Sequence, residues 1–338
     1  YKAYSEIVSN IKAIFSKPWL LKDGEYYCTM SMGSVIFPDD GENVEDLIKK
    51  ADIAMYNAKK SGKNKLAHYN PEKLSESGKR LDMEKNMRAA VEKSCEEFLV
   101  YYQPVIDISD KEIKCAGAEA LIRWNSKELG FISPGEFIPL AEYLGLINPI
   151  GDHVLMTACK QCKEWNDKGY PDFAVSVNIS VVQLMQENIV AIIKDALEKT
   201  GIKPGNLVLE VTESLAINDM ERMKGIMSDI RKLGVRIALD DFGTGYSSLN
   251  HIREIPLDII KVDQSFIREL ADDSYSKAFI RMVSELAGAI GVKICMEGAE
   301  TEEQYRLLKA MKARTVQGFF FDRPMPGADF EKKYIKKN

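Results

Sequence analysis

The 338-residue sequence contains no run of about 18 apolar residues, so it encodes no transmembrane helix. Its first residues, YKAYSEIVSN, carry no apolar h-region, so they do not read as a signal peptide. Histidine is scarce: His68, His153 and His251 are the three present, and they lie far apart. The six cysteines, Cys28, Cys95, Cys115, Cys159, Cys162 and Cys295, are scattered. No Cys/His set therefore has zinc spacing. Cys159 and Cys162 form a CxxC, but it sits in the helical stretch LMTACKQCKEW with no second pair, so it reads as core rather than as a metal or redox motif. Without a secretion signal, reduced thiols and a cytoplasmic location are expected. Positive charge is not in excess either. The chain has 46 basic and 51 acidic side chains, a net −5, which argues against a DNA or RNA polymer as partner. A small anionic substrate held through a metal remains compatible with that charge.

What is present is an ordinary globular composition, 45% apolar and 29% charged, which excludes a wholly disordered chain. At about 100–200 residues per domain the length suggests two domains, or one α/β barrel of about 250 residues and a remainder. Residues 26–37 alternate and are β-rich, which predicts a strand, and Pro38-Asp39-Asp40-Gly41 predicts a turn. From Val44, apolar residues recur at Leu47, Ile48, Ala51, Ala54, Met55 and Ala58, a helical spacing that ends near Gly62. These pieces cannot close a core alone, so residues 1–70 read as part of a domain. Residues 71–96 read as a linker helix whose packed face is Met83, Met87, Ala90 and Val91.

From residue 97 onward, short apolar runs alternate with helical patterns. The runs are 98–107, 113–124, 173–180, 207–212, 235–241, 258–263, 292–297 and 314–319. The helical patterns are 134–145, 149–168, 186–201, 216–233, 245–254, 273–290 and 301–311. Eight strands alternating with helices predict an α/β fold, a TIM-like (β/α)8 barrel, over 97–338. The connector DISDKE is too short for a helix, so the first two strands are predicted to form a hairpin, with an antiparallel first strand.

Buried barrel strands should be apolar on both faces, and several here are not. Period-2 alternation puts Gly117, Glu119, Leu121 and Arg123 on one face, and Ala174, Ser176, Asn178 and Ser180 on another. It likewise groups Val208, Glu210 and Thr212; Arg236, Ala238 and Asp240, with Asp241 following; and Leu257, Ile259, Lys261 and Asp263. Lys293, Cys295 and Glu297, and Thr315, Gln317 and Phe319, complete the pattern. With these faces inward, Glu119, Asn178, Glu210, Asp240, Asp241, Lys261, Glu297 and Gln317 cluster at one mouth of a barrel, where barrels place their chemistry. Crowded carboxylates cannot all ionise unaided. An all-oxygen set favours Mg²⁺ or Mn²⁺ over zinc, and five carboxylates suit two ions. Singly, each residue has a plain structural reading: a solvated Glu, an Asn cap, or a Lys261 salt bridge to Asp240 or Asp263. Recurrence on successive strands at one end favours the functional reading. The glycine-rich DDFGTGYSS after the fifth strand reads as a loop shaping that mouth.

Residues 98–325 resemble the EAL domain, the phosphodiesterase of the bacterial second messenger cyclic di-GMP. The likeness rests on Glu119-Ala120-Leu121 within GAEALIRW, on YYQP (101–104), SPGEFIPLAE (133–142), VNIS (177–180) and EVTES (210–214). DDFGTGYSSL (240–249), KVD (261–263), EGAETEEQ (297–304) and QGFFFDRP (317–324) complete it. The resemblance implies hydrolysis of cyclic di-GMP to linear pGpG, with Glu119, Asn178, Glu210, Asp240 and Asp241 as metal ligands and Glu297 in the acidic shell. It implies that Lys261 positions or deprotonates water, that Gln317 orients water or phosphate, and that Glu213 holds the DDFGTGYSS loop. It makes Gln103, Arg123 and Pro134 substrate contacts, and it implies homodimers paired near that loop. A lysine among metal ions should have a depressed pKa. Lys312-Ala313-Arg314 departs from the Gly-Cys-Asp-like stretch of relatives, and Glu297-Gly298-Ala299-Glu300 from EGVE, departures that bear on local packing and substrate fit. A non-catalytic cyclic di-GMP receptor and an enolase-like barrel with Lys261 as base remain alternatives, the second fitting the ordered motifs poorly.

Residues 26–70 resemble the C-terminal half of a GGDEF domain, the diguanylate cyclase fold, through SMGSVIFPDDG and ADIAMYNAKKSGKN. The GGDEF signature itself does not occur in the sequence. The resemblance implies that the half holding it, and a sensor, lie upstream of Tyr1, and that this stretch alone is no cyclase.

Overall fold

The computed structural model describes residues 2–15, 19–21, 24–26, 29–60, 64–70, 74–109, 112–212, 220–244 and 255–335. They form two compact units, Tyr1–Met83 and Glu84–Asn338. No described helix is long and apolar enough to cross a membrane.

In the first unit, helix Lys2–Phe15 precedes a small antiparallel pair, Trp19–Leu21 with Gly24–Tyr26. Strand Met32–Ser34 then runs through helix Val44–Lys60 into the parallel strand Leu66–His68. A parallel return needs such a crossover. The strand expected over 26–37 is therefore only three residues long, Met32–Ser34, because pairing is confined to the register Met32↔Leu66 through Ser34↔His68. The helix begins at Val44 as expected, with Glu45 and Asp46 in its first turn, where acids suit the positive end of the helix dipole. It lies directly on the strand: a Cβ on Gly33 would sit 1.9 Å from the Ala51 carbonyl oxygen. The helix's apolar residues divide, however. Ala54 and Ala58 are fully buried, while Val44 and Ile48 face outward. Helix Leu74–Glu92 falls within the span 71–96 expected to be helical, with Met87 and Ala90 of its expected packed face buried.

The second unit is a closed eight-stranded barrel. Its strands are β1 (Phe98–Asp107), β2 (Lys114–Ser126), β3 (Ala174–Asn178), β4 (Leu207–Thr212), β5 (Arg236–Phe242), β6 (Ile259–Val262), β7 (Lys293–Met296) and β8 (Thr315–Val316). From β2 to β8 every neighbour is parallel. β1 alone runs antiparallel to both neighbours, β2 and β8, and so closes the ring. The short connector permits this, since a hairpin needs no crossover helix. Two short strands add antiparallel pairs outside the ring, Gly130–Ile132 on β2 and Met325–Pro326 on β1.

The outward faces of the strands supply the core. Val175, Val177, Leu209, Ile237, Leu239 and Ile260 are buried under the surrounding helices. Helices Pro134–Tyr143, Ile147–Asp167, Ser274–Ile290 and Glu302–Ala310 lie close to their expected spans. The pattern over 186–201 is helical over Ile189–Thr200, and a further short helix, Val181–Leu184, precedes it, opened by a Ser180–Gln183 capping box. The expected span 216–233 is helical over Met220–Lys232, and the expected helix 245–254 lies outside the described residues. Gln264–Arg268 and Gly327–Tyr334 are further helices that the periodicity did not single out. The second carries Phe330 onto Trp165, their rings stacked at 4.8 Å beside Tyr102 and Phe173. Cys159 and Cys162 belong to this core: both are fully buried, and burial pushes each thiol up to about 12. Inert core thiols, not a redox or metal pair, follow from that environment.

Candidate active site

Alternation within each strand sends the polar residues singled out above into the lumen, and the parallel register stacks them at the C-terminal ends of the strands. Gln103 pairs with Glu119 across β1–β2, Asn178 with Glu210 across β3–β4, and Lys261 with Cys295 across β6–β7. Lys261 stands at the centre, only 3% exposed. Its Nζ lies 2.6 Å from Glu210, 2.6 Å from Glu297, 3.2 Å from Asp240 and 3.3 Å from Glu119. Of the two structural partners open to Lys261, the structure selects Asp240. Asp263 instead caps helix Gln264–Arg268, accepting from the Ser265 backbone N–H at 2.9 Å.

Amides frame the carboxylates. The Asn178 side chain donates to Glu119 Oε1 at 2.7 Å, and Gln317 donates to Glu119 Oε2 at 2.6 Å. Gln317 also donates to Gln103 at 3.0 Å, and Gln103 in turn donates to the Asp322 carbonyl at 3.0 Å. β8 ends at Val316, so Gln317 lies just past the strand rather than within the expected run 314–319.

Asp240 and Asp241 require a local irregularity, because consecutive residues of a regular strand point to opposite faces. The β5–β6 register shifts between Leu239 and Phe242, and Asp241 has a φ of +54°. That left-handed backbone is uncommon for a residue with a side chain. It breaks the alternation and brings carboxylate oxygens of Asp240, Asp241 and Glu297 within 4.8 Å of one another. Gly243 completes the turn at a φ of +104°, where a Cβ would lie 2.5 Å from the Phe266 ring and 2.8 Å from that of Phe279.

Charge in this cluster is shared unevenly. Burial works to raise Glu119, but the Lys261 ammonium and the Gln317 and Asn178 hydrogen bonds outweigh it, and the net shift is downward. Burial followed by the Glu119 charge pushes Glu210 well up. Burial, with Asp240 and Glu119, also raises Glu297 against the pull of Lys261. Lys261 is opposed by its own burial, yet Glu119, Glu210, Glu297 and Asp240 drive it well above the ordinary lysine value. The protein's own charges thus act opposite to the depression expected of a lysine among metal ions. Four facing carboxylates hold its proton, and a depression would need added cationic charge. Four carboxylates around one ammonium still leave an excess of negative charge that only protons or cations can relieve.

The donor set fits a hard divalent cation. It is all oxygen, three carboxylates converge, and Gln317 Oε1 is buried without a hydrogen-bond partner. A cavity of about 200 Å³ opens above the cluster. Beyond the expected residues, Asp263, Gln264, Glu300 and Phe319 line it. Phe319 is exposed, with the Arg323 guanidinium 4.2 Å from its ring centre. The inward-face pattern placed Asp263 and Phe319 in the sequence; nothing in the alternation pointed to Gln264 or Glu300, which follow the strands.

Two expected substrate contacts are not brought to this cavity wall. Arg123 donates to the Ile122 carbonyl at 2.8 Å, and Pro134 occupies the first turn of helix Pro134–Tyr143. Glu213 and residues 245–250 of the loop lie outside the described residues. Arg314, within the departing stretch Lys312-Ala313-Arg314, lies at the opposite mouth of the barrel, beside Asp107 and Lys293, so it does not touch this cavity.

An acid-lined mouth at the carboxyl ends of a barrel with one reversed strand sets the class of fold and site, and sequence comparison makes the class specific. The family model for the EAL domain matches residues 84–324, and the chain belongs to that family. The model for the diguanylate cyclase GGDEF domain matches residues 1–65. The chain is 36% identical over 311 residues to the bifunctional diguanylate cyclase/cyclic di-GMP phosphodiesterase MucR of Pseudomonas aeruginosa, covering 92% of this chain and 45% of that protein. It is 33% identical over 338 residues to the cyclic di-GMP phosphodiesterase PdeR of Escherichia coli, covering 99% and 50%. The chain thus spans about half the length, or less, of these curated relatives. Among solved structures, a PaMucR phosphodiesterase–c-di-GMP complex superposes with a TM-score of 0.69 at 38% identity, covering 74% of this chain and 99% of that one.

Proposed function

We propose that this chain hydrolyses one phosphodiester bond of cyclic di-GMP, giving linear pGpG, with divalent cations at the acidic mouth. The observation that carries the reading is the convergence of Asp240, Asp241 and Glu297 beside a buried lysine that contacts four carboxylates. Membership of the EAL family, and relatives named as cyclic di-GMP phosphodiesterases, support the substrate.

In this reading Glu119, Asn178, Glu210, Asp240 and Asp241 hold the metal, Mg²⁺ or Mn²⁺, with Glu297 beside them. A bound divalent ion there would acidify water and neutralise charge on the phosphate. The chain's own residues do the rest. Lys261 supplies a fixed positive charge and donates toward the attacking water or a phosphate oxygen, and becomes a base only as cationic charge accumulates around it. Gln317, fixed by Gln103 and Glu119, offers its unpartnered Oε1 to water. Phe319, with Arg323 beyond it, presents a face on which a guanine can stack. Glu213 steadies the loop after Asp241, and Arg123 and Pro134 contact the parts of the substrate that extend beyond the cavity wall. Homodimers paired near that loop and action in the cytoplasm complete the proposal.

The test is incubation with cyclic di-GMP and Mg²⁺ or Mn²⁺, followed by chromatography. Appearance of pGpG supports the reading. Tight binding without product would replace it with a receptor.

A further inference from the structure

The Lys261–Glu210 ion pair forms a partition within the barrel. Beyond it, toward the N-terminal ends of the parallel strands, lies a second cavity of about 240 Å³, to whose lining both residues contribute. Barrel interiors are ordinarily filled by layers of Val, Ile and Leu. Here Gly117, Ala174 and Ser176 leave the space open.

Three cations face it: Arg236 at the start of β5, Lys293 at the start of β7, and Arg314 just before β8. Arg236 Nε is buried with no hydrogen-bond partner. The carboxylate that acts on it, Asp258, is occupied by Arg231 at 2.8 Å and by the Ile237 backbone N–H at 2.9 Å. The Lys293 backbone N–H donates to the Asp258 carbonyl at 2.9 Å, but its ammonium makes no ion pair or hydrogen bond among the described residues, and burial followed by the charges of Arg236 and Arg314 lowers it. Arg314 approaches Asp107 only to 3.6 Å, and Asp107 is already engaged by Ser109. Asp172 also lines the space, at its exposed rim.

Arg236 and Lys293 thus face the cavity with no ion pair of their own, its carboxylates being Asp107 beside Arg314, Asp172 at the rim and Glu210 on Lys261, and a buried guanidinium Nε without a partner is costly unless an anion joins it. We infer that this N-terminal mouth binds a small oxyanion, a phosphate group, between Arg236 and Lys293. The cavity falls below the roughly 300–1,000 Å³ of drug-sized ligand sites, which limits the occupant to a few heavy atoms around the anionic group. Guanidinium donors match phosphate oxygens, and an ammonium supplies the second charge. The inference is independent of the reading of the acidic mouth.

Titration calorimetry of the full chain with inorganic phosphate, in EDTA and at constant ionic strength, tests it. One phosphate per chain is expected, with affinity at least about tenfold weaker in both Lys293→Gln and Arg236→Gln, and unchanged in Asp241→Asn at the other mouth. Circular dichroism checks folding. If Arg236→Gln does not fold, the exposed Lys293→Gln carries the comparison. Equal binding in wild type and Lys293→Gln, equal heats with chloride, or loss of binding only in Asp241→Asn would overturn the inference.

Discussion

The two mouths of the barrel are built from the same strands and the same alternation, yet their charges are opposite. At the C-terminal ends Glu119, Glu210, Asp240 and Glu297 surround one ammonium. At the N-terminal ends Arg236, Lys293 and Arg314 surround a space. The acidic mouth is over-determined: its side chains are buried, hydrogen-bonded to one another and tied by amides. The basic mouth is under-determined, with cations that lack close partners and small residues where a barrel usually packs bulk. Lys261 and Glu210 belong to both, so the boundary between the mouths is itself an ion pair. Net charge conceals all of this, because −5 averages a focused acid cluster with a mouth where Arg236, Lys293 and Arg314 face Asp107 and Asp172.

Four experiments break or sharpen the contrast. Chelation should have the largest effect: EDTA should abolish cyclic di-GMP hydrolysis, with Mn²⁺ or Mg²⁺ restoring it, while phosphate binding at the basic mouth persists. Activity that survives exhaustive chelation would remove metal from the mechanism. Glu119→Gln should lower turnover about a thousandfold. Its melting temperature should fall modestly with the fold retained, since the amide keeps the shape but loses an acceptor for the Asn178, Gln317 and Lys261 donors; a collapse of the fold would make Glu119 structural. Phe319→Ala should raise KM about tenfold with little change in kcat, the scale of one lost base–aromatic stack. An effect confined to kcat would remove the stacking role.

The smallest effect belongs to Asp107 at the basic mouth. Burial works to raise its carboxyl, but hydrogen bonds from Ser109 and the nearby Arg314 outweigh it and hold it below the ordinary range. Its contribution is present above about pH 4, the unfolded value, and fades as the pH falls through the lower folded one. Because the carboxylate is only partly buried and its approach to Arg314 is loose, Asp107→Asn should cost less than about 1 kcal/mol at pH 7. The difference from wild type should shrink as the pH is lowered below about 4 in denaturant titrations. A difference that persists there would mean the loss is one of packing.

Most of the acidic mouth is legible in the amino-acid sequence alone. Glu119, Asn178, Glu210, Asp240 and Lys261 follow from a period of two, which any strand obeys whatever its neighbours. The reversed first strand follows from a connector too short for a crossover. The same faces also carry Arg236 and Lys293, but without knowing how large their neighbours' side chains are in three dimensions, nothing separates a filled layer from a cavity. The helix Gly327–Tyr334 escapes the periodicity because its single fully buried residue, Phe330, is anchored by a distant tryptophan rather than by a repeating stripe.

By itself the sequence determined the barrel, the end at which its acids gather, and the oxygen-only chemistry of that end, because alternation and strand order are local properties of the chain. The tertiary structure alone decided that Asp241 leaves the alternation at a φ of +54° to join Asp240 and Glu297, and that Arg123 turns to its neighbour's carbonyl. It also decided that four carboxylates converge on Lys261 tightly enough to hold its proton. Those outcomes depend on register between strands far apart in sequence and on the low dielectric of a closed lumen, and neither exists until the ring is closed.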